Sequence, residues 1–143
     1  MKTYIHYGHK HFDKTMFVRV RNNSPKNKPI GGLWASPDDA TFGWKDWCEA
    51  EDFRECKEEN SFQFTLPEAN ILKINSVEDF RKLPILTQDY NVMGWLIDFE
   101  QCFKLGYDAI ELCLSEDYDL YYELYGWDCD SILVLNPDMV VEI

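Results

Sequence analysis

Ser131-Ile132-Leu133-Val134-Leu135 is the most apolar stretch of the chain, and its reading decides the class of fold. A short aliphatic run with no Gly or Pro reads as a buried strand. Working outward, Tyr107 to Leu114 reads as a strand before it and Met139 to Ile143 as the last strand after it. At the other end of the chain, Tyr4, His6 and Gly8 alternate with Thr3, Ile5 and Tyr7, the period of two expected of a first strand. Phe17 to Arg21 alternates as well and predicts a short second strand, followed by a polar, basic loop from Asn22 to Pro29. Ile30 to Ser36 predicts a strand entered through Gly31-Gly32 and stopped by Pro37. Ser61 to Leu66 and Ala69 to Ile74 add two more.

Helical periodicity is sparser. Phe42 to Phe53 places Trp44, Trp47, Cys48 and Glu51 on one face, and Tyr90 to Leu105 is the longest such pattern, with Gly106 as its stop. Ser76, with Asp79 three residues on, gives a capping-box-like start to a short helix before Pro84. Strands with two or three helices between them make a mixed α+β fold, and 143 residues make one domain, 1–143.

Composition narrows the classes of function. At 45% hydrophobic, 28% charged and 15% aromatic, the chain has the makings of a packed globular core rather than a disordered segment. Apolar runs reach only a few residues, so no membrane-spanning helix is expected. Met1 to His6 alternates where a signal peptide would carry an apolar block, which predicts a cytoplasmic protein. Five cysteines with no Cys-x-x-Cys pair read as reduced thiols. The net charge of −12 is split, with 8 Lys/Arg against 4 Asp/Glu in residues 1–48 and 6 against 22 in the rest. Direct nucleic-acid binding is not expected of so acidic a chain, because neutralising phosphates needs cations. Lys2, Lys10, Lys14, Arg19, Arg21, Lys26 and Lys28 form either a solvated basic face or a patch for an anionic ligand.

Three strand ends carry residues suited to chemistry: His6-Tyr7-Gly8, Gly32-Leu33-Trp34-Ala35-Ser36, and Asp128-Cys129-Asp130. In extended chain Asp128 and Asp130 point to one side, a pair aimed at something electropositive or else an exposed acidic turn. His6, His9 and His11 fall within six residues, but no other metal-ligand spacing accompanies them, and no metal is expected. Gly31-Gly32 lacks the Gly-x-Gly-x-x-Gly and Walker contexts. Trp34 after paired glycines is either a core residue or a platform for a flat ring.

Taken in order, these segments resemble the ADP-ribosyltransferase fold of the His–Tyr–Glu type, the group related to poly(ADP-ribose) polymerases and diphtheria toxin. His6-Tyr7-Gly8 resembles that family's first-strand His-Gly pair with one inserted tyrosine. Gly32-Leu33-Trp34 resembles its Gly-aliphatic-Tyr strand with Trp for Tyr, and Asp130 to Asp138 its late carboxylate strand with Asp for Glu. The resemblance implies a mostly antiparallel two-sheet domain and NAD as co-substrate. It implies that His6 bonds the adenosine ribose, that the Gly8 backbone holds the nicotinamide amide, and that Trp34 stacks on the nicotinamide with Ser36 supporting its strand. Asp130 would stabilise the cationic sugar as nicotinamide leaves, and Asp128 would orient the acceptor, as the paired carboxylates of arginine-modifying members do. The activity implied is mono-ADP-ribosylation of a protein acceptor by a toxin-type, phage-type or immunity-related modifier, in a bacterial or phage-infected cell. The alternative is a non-catalytic acidic protein that occupies a basic groove on a partner. It would use Glu116, Asp117, Asp119, Glu123, Asp128 and Asp130, interleaved with Tyr118, Tyr121, Tyr122, Tyr125 and Trp127.

Overall fold

Alternating apolar residues build a seven-stranded sheet. A computed structural model describes residues 1–23, 26–86, 96–114, 117–124 and 126–143. Its strands are β1 (Tyr4–Tyr7), β2 (Arg21–Asn23), β3 (Lys26–Ile30), β4 (Leu33–Pro37), β5 (Ser61–Thr65), β6 (Ile71–Ile74), β7 (Ala109–Leu112), β8 (Ser131–Val134) and β9 (Val141–Glu142). The helices are α1 (Trp44–Ala50), α2 (Val77–Phe80), α3 (Phe99–Lys104) and α4 (Tyr118–Glu123). The main sheet runs β6-β7-β8-β4-β1-β5-β9, while β2 and β3 form a separate hairpin. Every pairing is antiparallel except β6 with β7, whose parallel crossover carries α2 and α3. The class is therefore α+β and mostly antiparallel, with four helices among the described residues where two or three were expected.

The sequence SILV in β8 is buried on both sides. Leu133 joins a core with Ile110, Leu112, Phe80, Phe99, Leu120 and Trp127, whereas Ile132 and Val134 join a second core with Tyr4, Leu33, Ala35, Phe62 and Phe64. A strand covered on both faces reads as a continuous apolar run, which is why this stretch stood out. On the second face Tyr4 donates its hydroxyl to buried Glu111 at 3.3 Å, and Lys2 closes an ion pair on the same carboxylate.

Several local expectations are corrected. Phe17 to Val20 is not strand. The segment taken for a loop, Asn22 to Pro29, instead supplies most of the β2–β3 hairpin, with Asn27 and Pro29 buried on one side of β3. Ser24 and Pro25 lie outside the described residues. Pro37 is the last residue of β4, paired with Tyr4, rather than a stop before it. The long helix expected from Tyr90 begins at Phe99, because Asp98 caps it by accepting from the Gln101 amide and Ile97 is held in a bridge to Ile85. Residues 90–95 of that expectation lie outside the described residues. The expected Ser76 cap is present, its hydroxyl accepting from the Asp79 amide.

Gly31 and Gly32 make the turn from β3 into β4 at φ +84° and +76°. A Cβ on Gly31 would come within 2.6 Å of the Val18 and Arg19 carbonyl oxygens, and Gly32 donates its amide to the same Val18 carbonyl at 2.8 Å. Both the backbone sign and the close approach demand glycine here.

Candidate functional site

The sheet order sets β8, β4 and β1 side by side, so the three segments far apart in sequence meet. Between β4 and β8 the ladder is continuous across Leu33, Trp34 and Ala35. Between β4 and β1 it ends after Tyr4–Pro37 and Ile5–Ser36. His6 and Tyr7 continue pairing with β5 alone. Beyond the last pair, the His6 Nδ1–H donates across the gap to the Trp34 carbonyl at 2.6 Å. That bond fixes the tautomer, leaving Nε2 as an acceptor 3.1 Å from His9 Nδ1, whose ring stacks on His6 at 5.3 Å. Burial pushes the His6 imidazole below its ordinary pKa, the bond to Trp34 opposes the shift, and His9 adds to it. His6 is therefore neutral near pH 7, with a lone pair to offer a hydroxyl.

Two cavities are bordered by both His6 and Trp34, one of about 220 Å³ and one of about 430 Å³. The smaller has aromatic walls from Trp34, Trp44, Trp127 and Tyr7, polar groups from Ser36, Cys129 and Ser131, and two cations, Lys28 and Arg54. The larger is lined by Phe12, Phe17 and Phe62, by Gly31-Gly32 and by His9 and His11, with Asp13 as its acid. Trp34 meets Trp127 edge-on at 4.8 Å, and the Lys28 ammonium sits 5.4 Å from its ring centroid, so a stacked ligand ring has to share this indole with Lys28.

The chain matches no protein-family model, no curated protein and no solved structure with which it was compared.

Of the six residues singled out in the sequence, three line the cleft. His6 and Trp34 border both cavities, and Ser36 borders the smaller. Ser36 Oγ donates to the Asp130 carbonyl at 2.8 Å and accepts from the Trp44 amide at 2.9 Å, tying β4, the start of β8 and the start of α1 together. Asp130 is placed differently from expectation. It is only 3% exposed, and its neighbours Cys129 and Ser131 line the cleft where it does not. Its amide donates to the Phe42 carbonyl at 2.9 Å, so both backbone groups are fixed. Asp128 is half-buried at φ +68°, which breaks the extended geometry that would have aimed the two carboxylates alike. Gly8 lies exposed at the end of β1, and its amide is taken by the Asn60 carbonyl at 2.8 Å. No nicotinamide oxygen can share that donor without displacing Asn60.

Other expectations change with burial. Trp127 and Asp130 are core residues, which removes them from the acidic surface, while Glu116 and Tyr125 lie outside the described residues. Tyr118 and Tyr122 on α4 are exposed at 83% and 76%. The early basic residues do not form one patch: Lys2 goes to Glu111, Lys14 to Asp138, Arg19 over Phe103, and Lys28 into the cleft. The sequence reading missed Arg54, Ser131 and Cys129 as wall residues, and took Trp44 only as part of a helix face. Burial pushes the Cys129 thiol up to about 11 against its bonds with Ser131 and Ser36, so it is a protonated wall group and not a nucleophile. Among the described residues no group of three metal-ligating side chains occurs and no helix is long and apolar enough to cross a membrane.

Proposed function

We propose that this cleft binds NAD and that the chain is a mono-ADP-ribosyltransferase acting on a protein acceptor. The observation that carries the proposal is the pair of cavities that share His6 and Trp34 as wall residues, one with aromatic and cationic walls and one with aromatic walls and histidines, a chemistry suited to the two ends of a dinucleotide. The smaller, aromatic lobe takes the nicotinamide end against Trp34. The larger lobe takes the adenosine end, where the neutral His6 Nε2 accepts from a ribose hydroxyl in place of His9. NAD supplies the scissile bond between nicotinamide and ribose. The protein's part is to orient the dinucleotide and to place negative charge beside the sugar as positive charge develops on it.

Asp130 is assigned that charge because it lies between two wall residues, Cys129 and Ser131, on a backbone held by Ser36 and Phe42. Its carboxylate is buried, so the assignment requires it to turn toward the lobe when NAD is bound. Binding and transfer are thus separable, and one experiment separates them. Wild type incubated with NAD is expected to release nicotinamide and to label protein, and Asp130→Asn to bind NAD unchanged while releasing none. Release undiminished in Asp130→Asn removes Asp130 from the chemistry. Binding without release by wild type leaves an NAD-binding module with no transferase activity.

The acidic-surface reading keeps one supporting observation, the exposed Tyr118, Asp119 and Tyr122 of α4. It predicts a partner whose binding weakens with salt and with reversal of charge on that helix.

A further inference from the structure

Among the described residues no Asp or Glu lines the smaller cavity, in a chain that carries 26 of them. Lining it instead are two cations from separate segments, Lys28 on β3 and Arg54 after α1. Among the described residues neither is ion-paired, whereas Lys2, Lys14, Lys57 and Arg81 each hold a carboxylate. Both cations rest on aromatic rings: Lys28 Nζ lies 5.4 Å from the Trp34 centroid, and Arg54 Cζ lies 5.8 Å from that of Trp44 and 5.0 Å from that of Phe53. Those rings are themselves packed, Trp44 against Trp47 at 5.2 Å and Trp47 against Phe53 at 5.3 Å, so Arg54 has a firm platform. A cation held on a ring face is positioned without a counter-charge and keeps its N–H donors for a ligand.

We propose that Lys28 and Arg54 form an anion clamp in this cavity and hold the diphosphate of a nucleotide ligand. Arg54 supplies the planar fork suited to two phosphate oxygens, and Lys28 a point charge that moves between the indole and the ligand. The inference rests on the NAD reading and adds to it the residues that select the ligand by its charge. It also explains why none of the described residues on these walls is a carboxylate, since one Asp or Glu here would occupy the clamp.

Calorimetric titration of ADP-ribose, which has the diphosphate but no leaving nicotinamide, tests the clamp without relying on turnover. Wild type, Lys28→Gln, Arg54→Gln and the charge-retaining Arg54→Lys are compared at one salt concentration, with melting curves to verify folding. Each glutamine variant is expected to bind about tenfold more weakly, as loss of a charge-assisted hydrogen bond implies. Arg54→Lys is expected to fall between wild type and Arg54→Gln, and wild-type affinity to drop with added potassium chloride. Glutamine variants that bind ADP-ribose as tightly as a wild type that binds it well overturn the clamp and leave the NAD reading standing. A wild type that binds neither ADP-ribose nor NAD overturns both.

Discussion

The two edges of β4 are held in opposite ways. Toward β8, Leu33, Trp34 and Ala35 each have a ladder partner, and their partners Ile132, Leu133 and Val134 are fully buried in the two cores. Toward β1, pairing is limited to Ser36 and Pro37, and a histidine side chain takes over where backbone pairing stops. The first edge is maintained by burial, which is strong and unspecific about ligands. The second leaves aromatic and polar groups facing open space, which makes a site at the expense of packing. One strand thus serves as core on one side and as a binding wall on the other.

Breaking the closed edge should have the largest effect. Leu133→Ala, at a position with no exposure, is expected to cost about 2–5 kcal/mol in denaturant unfolding. A loss well under that would mean that the β4–β8 edge is as loosely packed as the open one. Ser36→Ala acts where the ladder to β1 ends and removes two bonds, a buried one to Asp130 and a partly buried one from Trp44. About 1–3 kcal/mol is expected from the same measurement.

The open edge should respond to pH instead. Because the folded His6 pKa lies below the ordinary 6.5, the unfolded chain takes up a proton here that the folded chain refuses. The contribution of this site is complete above pH 6.5 and is lost as pH falls from there toward the lowered folded value. Melting curves of wild type should decline across that window more than those of His6→Gln, and equal slopes would contradict a buried, neutral imidazole. Smallest of all, Tyr122→Ser on exposed α4 is expected to change stability by no more than about 0.5 kcal/mol. A larger loss would show that α4 packs more than its exposure indicates.

The same contrast explains what the sequence made legible. β8, β7 and β5 announce themselves by apolar runs or strict alternation, because burial acts on each residue independently of its distant neighbours. α2 was legible from Ser76 and Asp79, a local bond with a local spacing. The β2–β3 hairpin was not, because Lys28-Pro29 reads as a turn signal while Pro29 sits at the edge of a two-stranded ribbon, where a missing amide is tolerated. His6, Trp34 and Ser36 were legible as an ordered set, but the cleft wall contributed by Arg54, Trp44 and Trp127 depends on nonlocal packing that no spacing encodes. The placement of Asp130 turned on a single left-handed residue, Asp128, at a position where alternation alone predicted extended chain.

The most direct test of the account is a tryptophan-fluorescence titration with NAD, since Trp34, Trp44 and Trp127 all border the smaller lobe. Saturable quenching at one equivalent, abolished in His6→Ala folded to the same extent, is the predicted result. Emission and melting temperature unchanged by millimolar NAD would contradict it.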